Sequence, residues 1–178
     1  FSANQTMRSA QKLYEGTEID GEPTGLITYM RTDSVMMSKD AIKEVRDYVL
    51  EKLGQDYLPS EHRVYKSKAK NAQEAHECIR PTNVNLTPQI LKKNLNNDEY
   101  KLYEIIWQRA VSSQMASAII DQVSVNITND SENIIFRSNG SSIKFPGMLA
   151  VYTESKEEDK KDDEDENSNL LPPLEIND

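Results

Sequence analysis

Cysteine occurs once in the 178 residues, at Cys78, so no disulfide can form within the chain. Histidine occurs twice, at His62 and His76, and their separation does not match zinc-ligand spacing. No metal site is written in the sequence. Also missing are an apolar run of about 18 residues and a charged-then-apolar leader, which argues against membrane insertion and secretion and makes a cytoplasmic protein the expectation.

An excess of basic charge, the usual footprint of a nucleic-acid partner, is absent too, since the net charge is -9. The distribution of charge changes that inference. Nine acids and three lysines fall between Glu154 and Asn169, whereas Phe1 to Thr153 holds eighteen bases and nineteen acids. The acidity is mostly one low-complexity stretch, expected to be a solvated loop over 154–169. Its run from Asp162 to Glu166 lacks the fixed geometry that magnesium demands. Between Arg63 and Arg80, five bases (Arg63, Lys66, Lys68, Lys70 and Arg80) stand against Glu74 and Glu77, a local excess suited to a phosphate.

Hydrophobic spacing divides the chain. Met7, Ala10 and Tyr14 recur at helical spacing before Gly16, predicting a helix over Asn4 to Glu15. A polar loop with Gly21 and Pro23 follows, then the apolar run Leu26 to Met30, which predicts a short strand with Tyr29 near its end. Ser38 is a good N-cap for a helix carrying Ile42, Val45, Val49 and Leu53, stopped by Gly54. Thr87-Pro88 and Asn97-Asp98 open further helices, the second with Leu102, Ile106, Trp107 and Ala110. From Ile119 the period becomes two, and Asn139-Gly140 between apolar runs predicts a hairpin turn. The expected fold class is α+β: a mainly helical domain over 1–115 bearing Tyr29, then part of a β-rich domain over 116–178, as if cut from something larger.

Chemistry concentrates around Tyr29. A lone tyrosine in an apolar run is ordinarily a core residue. In an extended segment, however, Tyr29, Arg31 and Asp33 project to one side. A free phenol ionises near pH ~10, so a tyrosine nucleophile needs a cation or base beside it, and Arg31 is the obvious cation. An arginine fork also holds a phosphodiester by two oxygens. By spacing alone, Arg31 and Asp33 are equally a surface pair worth little.

The motif GLITYMRTDS (Gly25 to Ser34), followed by AQEAHECIRPT (Ala72 to Thr82), resembles the paired signature of bacterial type IA DNA topoisomerases. TMRSAQKLYEG (Thr6 to Gly16) and LYEIIWQRAVSSQM (Leu102 to Met115) extend the resemblance over roughly the first two-thirds of the chain. Met30 is more similar to the topoisomerase I branch than to the topoisomerase III branch, where proline is frequent at that step. Cys78, where alanine is common, and Val35-Met36-Met37 depart from the pattern without touching the proposed chemistry.

The resemblance implies that Tyr29 links covalently to a DNA 5′-phosphate, that Arg31 contacts the DNA beside it, and that His76 lies near both. Asp33 would belong to the surrounding network, and Arg80 either contacts phosphate or pairs with Glu74 or Glu77. It also implies relaxation of negative supercoils through a single-stranded segment without ATP. Magnesium would be held by a domain absent from this chain, so the isolated segment is expected to be inactive. Two other readings stand beside it: a non-catalytic module that stacks Tyr29 on a base of single-stranded nucleic acid, and an interdomain structural piece that binds no DNA.

Overall fold

Four helices begin where a side chain relieves the unpaired N–H groups of the first turn. Ser2 accepts from Gln5 N ahead of α1 (Ala3–Glu15), and Ser38 accepts from Ala41 N ahead of α2 (Lys39–Lys52). Thr87 caps the single turn α3 (Pro88–Leu91), which carries proline in its first turn. Ahead of α4 (Asn97–Ser113) the cap is reciprocal: the Asn96 side chain accepts from Asp98 N and Glu99 N, while the Glu99 carboxylate accepts from Asn96 N. Gly54 follows the C-cap residue Leu53 of α2 with φ 100°, the stop expected of it.

The computed structural model describes residues 1–19, 21–65, 76–128 and 134–152. The chain falls into two compact units, Phe1–Ala116 and Ser117–Asp178. With helices gathered in the first and a long hairpin in the second, it is α+β, as expected. The acidic stretch 154–169, together with Lys66, Lys68, Lys70 and Glu74 of the basic patch, lies outside the described residues.

In the first unit, Leu13 of α1, Val49 of α2, Leu91 of α3 and Tyr103 and Val111 of α4 are fully buried. Polar atoms carried into this core find partners, as burial requires. Tyr103 Oη donates to Leu86 O at 2.6 Å, and Trp107 Nε1 donates to Val84 O at 2.8 Å. The Trp107 ring, only 7% exposed, meets Tyr48 of α2 edge-on with centroids 5.5 Å apart. The buried Glu99 carboxylate meets Lys12 Nζ at 3.1 Å, tying α1 to the start of α4.

Two expectations for this unit are corrected. The stretch with Gly21 and Pro23 is a small antiparallel hairpin of β1 (Thr17–Ile19) and β2 (Glu22–Thr24), with Pro23 opposite Glu18. Its strands are short and largely polar, so no apolar run announces them. Leu26 to Met30 is not a strand either, because Ile27 alone makes a β-bridge, with Pro81. Leu26, Ile27 and Met30 are buried, but the backbone here bonds to separate segments: Leu26 N to Leu13 O, and Thr28 N to Arg80 O. Its apolar character reflects packing rather than sheet membership.

The second unit holds β3 (Ile119–Thr128) and β4 (Ile135–Phe145), antiparallel from Ile120 opposite Ile143 to Thr128 opposite Ile135. Asn139-Gly140 is not the turn. It lies inside β4, opposite Ser124 and Val123, where Ser124 Oγ donates to Asn139 Oδ1 at 2.6 Å. The pair tolerates the positive φ of a hairpin turn without demanding it, and Gly140 is not among the positive-φ glycines. A short 3-10 turn, Gly147–Ala150, follows β4.

Candidate active site around Tyr29

The site is built by fastening one motif to the other. Thr28 sits at the centre: its N–H donates to Arg80 O at 2.9 Å, and its hydroxyl donates to Cys78 O at 2.7 Å. The same hydroxyl accepts from Arg80 N at 3.0 Å. On one side of it, Thr82 N donates to Leu26 O at 3.0 Å and Thr82 Oγ1 to Gly25 O at 2.7 Å. On the other, Cys78 N donates to Met36 O at 2.7 Å. Two segments about fifty residues apart in sequence thus form one wall, each threonine serving as a cross-link that backbone pairing alone does not supply.

Tyr29 projects from this wall half-buried between two rings. The Tyr14 ring, from the last turn of α1, stands edge-on to it with centroids 5.4 Å apart. The His76 ring is tilted against it at 5.1 Å, so the histidine of the second motif does stand beside the tyrosine of the first. Gly25 sets the approach of α1, since a Cβ there would sit 2.9 Å from Tyr14 O, closer than such contacts tolerate. A side chain at that position would push Tyr14 away from Tyr29.

Arg31 and Asp33 are both exposed, while Met30, which follows Tyr29, is buried. Among the described residues no ion pair joins Arg31 to Asp33, and neither side chain bonds to another residue. The structure therefore brings His76 to the tyrosine ring and leaves the Arg31 guanidinium uncommitted. Beyond them, Thr32 Oγ1 accepts from Ser34 N at 3.0 Å and Ser34 Oγ from Met36 N at 3.2 Å, shaping the non-helical path to α2.

Of the two roles considered for Arg80, the ion pair with Glu77 is present, while Glu74 lies outside the described residues. Arg80 Nε donates to Glu77 Oε2 at 2.6 Å and Nη1 to Pro81 O at 2.9 Å. The same Glu77 oxygen accepts from Ser38 N, the N-cap residue of α2, at 3.2 Å. The Arg80 hydrogen bond is the largest cause that holds the Glu77 carboxyl below the usual carboxylate range. Burial pushes the Cys78 thiol up, which suits a packing residue better than a reactive one.

A depressed carboxylate pKa contributes stability above the unfolded value of about 4.3 and loses it as pH falls through the lower folded value. Acid titration from pH ~5 downward is therefore expected to loosen the link from Glu77 to Arg80 and Ser38. The Glu77 side chain is 35% exposed, so the loss is small after solvent screening. Replacing Glu77→Gln should flatten the acid limb of a urea-stability curve relative to the unsubstituted protein. An unchanged limb would refute the linkage.

Sequence reasoning gives no site role to Tyr14, Gly25 or Thr28, and names Glu77 only as one candidate partner of Arg80, not of Ser38 N. Gly25 and Thr28 stand inside the first motif, yet their work is visible only when the second motif is laid beside it. Of the face formed by Met7, Ala10 and Tyr14, only Ala10 is buried, the core side of α1 being Ser9, Ala10 and Leu13, and no spacing points to the contact of exposed Tyr14 with Tyr29. Among the described residues, no three His, Cys, Asp or Glu side chains are grouped so as to hold a metal ion. No described helix is long and apolar enough to cross a membrane.

Residues 1–178 match the family model described as DNA topoisomerase. DNA topoisomerase 1 of Rickettsia bellii is 51% identical over 174 residues, covering 98% of this chain and 21% of its own length. The Xylella fastidiosa protein of the same name is 46% identical over 171 residues, with 96% and 21% covered. In shape, the chain is similar to full-length topoisomerase I from Thermotoga maritima, with a TM-score of 0.75 and 33% identity over 98% of this chain and 26% of that one. The chain thus spans about a fifth of the length of these curated relatives. Over that span, with its two motifs bound together around Tyr29, the chain belongs to the DNA topoisomerase family.

Proposed function

We propose that these residues form the nucleophile-bearing part of a type IA DNA topoisomerase, and that Tyr29 cuts and rejoins one DNA strand. The observation that carries this reading is the setting of Tyr29: its ring lies between Tyr14 and His76, on a wall locked by Thr28, beside the exposed and uncommitted Arg31. A buried core tyrosine would not be flanked by an exposed imidazole and an exposed guanidinium.

In the proposed step, Tyr29 Oη attacks phosphorus in a phosphodiester, the P–O3′ bond breaks, and the phenol loses its proton while the departing 3′ oxygen gains one. One phosphodiester replaces another, so rejoining is the same exchange reversed and requires no ATP. Arg31 binds a non-bridging phosphate oxygen and balances charge as the transition state forms. His76 orients the phosphate or moves a proton near the phenol. Asp33, exposed and without a bond of its own, only adds a carboxylate to the surroundings of Arg31, while Arg80 acts indirectly, by fixing Glu77 and the start of α2.

The DNA is a single-stranded segment of a negatively supercoiled duplex, and its passage through the break relaxes supercoils. Residues of the enzyme outside this chain would hold magnesium, which would supply electrostatic support for the exchange. The reading places the protein in the cytoplasm and predicts that the 178-residue chain by itself does not relax DNA.

The test uses the full-length enzyme with magnesium and a single-stranded oligonucleotide labelled at its 3′ end. After denaturation the label should remain on protein, and proteolysis should place it on the peptide containing Tyr29. Label on any other peptide moves the nucleophile elsewhere. DNA binding without an adduct favours a non-catalytic binding module.

A further inference from the structure

A cleft on the outer side of α2 is not used by the chemistry above. Its volume is about 300 Å³, and it is lined by Lys39, Ile42, Lys43, Arg46 and Asp47 of the helix and by His62 of the following loop. Lys39, Lys43 and Arg46 recur at i, i+4 and i+7, the spacing that places side chains on one helical face. Lys43 Nζ meets Asp47 Oδ2 at 2.7 Å, but both side chains are well exposed, so that pair is weak and exchangeable.

Arg46 is different. Its Nη2 donates to Pro59 O at 3.0 Å, which fixes the plane of the guanidinium. Its Nη1 is buried and has no hydrogen-bond partner, an unmet donor of the kind that burial makes costly. A guanidinium held in one plane by Pro59 O, lining the cleft with two lysines and a histidine, suits an oxyanion at its accessible edge.

We propose that this cleft is a phosphate subsite of the DNA-binding surface, holding a backbone phosphodiester of the strand at a place other than the one Tyr29 attacks. The lining charge favours a diester over a polyphosphate, because Asp47 offsets one of the three cations Lys39, Lys43 and Arg46. Ile42 adds an apolar patch against which a deoxyribose can rest. Lys39 directly follows Ser38, whose N–H is bound by Glu77, so the cleft begins at the element that the second motif anchors. The inference rests on the topoisomerase reading only in choosing DNA as the source of the phosphate.

Its test is non-covalent and so independent of that reading. The 178-residue chain carrying Tyr29→Phe is titrated with a fluorescent single-stranded oligonucleotide over a range of salt concentrations, and the His62 ring and Arg46 Nε signals are followed by NMR. Binding of the oligonucleotide should shift both signals. Lys39→Gln with Lys43→Gln, which spares the Arg46 bond to Pro59, should weaken binding about 10-fold and flatten the slope of log affinity against log salt by roughly 0.7 for each phosphate left without its cation. Shifts produced by inorganic phosphate and not by the oligonucleotide would overturn the proposal by showing a small-anion site. Unmoved signals, or equal affinity and slope in the double variant, would overturn it as well.

Discussion

Replacing Tyr29 by phenylalanine is expected to reduce relaxation and adduct formation by the full-length enzyme by a factor on the order of 10⁴ or more, the scale seen when a nucleophile is removed. Only one oxygen is removed, so the consequences for packing are slight. The ring keeps its edge contact with Tyr14 and its tilted contact with His76, whose centroids lie 5.4 and 5.1 Å away. Among the described residues the Tyr29 hydroxyl has no hydrogen bond to forfeit. Stability should therefore change little, and affinity for a single-stranded oligonucleotide should remain within about twofold, because stacking and charge are untouched.

That combination separates chemistry from recognition. If Tyr29 merely stacks on a base, phenylalanine stacks equally well and function survives. Gel shift and plasmid relaxation on the same preparation decide between the two. Retained relaxation by Tyr29→Phe would end the nucleophile reading, whatever the binding data show.

The second large effect belongs to Thr28. Valine has nearly the same shape but no hydroxyl, so Thr28→Val leaves Cys78 O without its 2.7 Å donor and Arg80 N without its 3.0 Å acceptor. An unsatisfied group of this kind costs about 1–3 kcal/mol, and the site is only partly shielded from water, so a total of about 2–4 kcal/mol is expected. Urea denaturation followed by circular dichroism would measure it.

The functional consequence should exceed the stability loss. With the hydroxyl cross-link lost and only the backbone bonds left, the second motif should hold His76 less firmly against the Tyr29 ring, and adduct yield should fall even at temperatures where the protein remains folded. Thr28→Ser retains the hydroxyl and should recover most of both. A valine variant with full stability and full adduct yield would mean that the threonine cross-link does not position the site.

Helix starts are legible in the sequence because a cap is a local device: Ser38 and Thr87 cap as read, and the helix read as opening at Asn97-Asp98 is capped one residue earlier by the Asn96–Glu99 box. The placing of Tyr29 and His76 in one neighbourhood comes from the resemblance of two motifs, and their rings do stand together. What escapes is non-local or weakly patterned. Leu26 to Met30 reads as a strand because burial on several sides produces the same apolar run as sheet packing. Asn139-Gly140 reads as a turn, although its partners across the hairpin, Ser124 and Val123, hold it extended. For Arg80 the sequence leaves phosphate and carboxylate equally open, and only the fold shows Nε bonded to Glu77. No spacing rule connects Glu77 to Ser38 N, thirty-nine residues away.

Trp107 is the single tryptophan of the chain, buried in the first unit with its indole N–H bonded to Val84 O. Its fluorescence is therefore a one-site optical reporter for Phe1–Ala116. Emission should be blue-shifted in the native state and move to the red when α4 parts from the Val84 loop. A far-ultraviolet signal that melts before the indole emission moves would mean that the two units unfold in separate steps, each with its own midpoint.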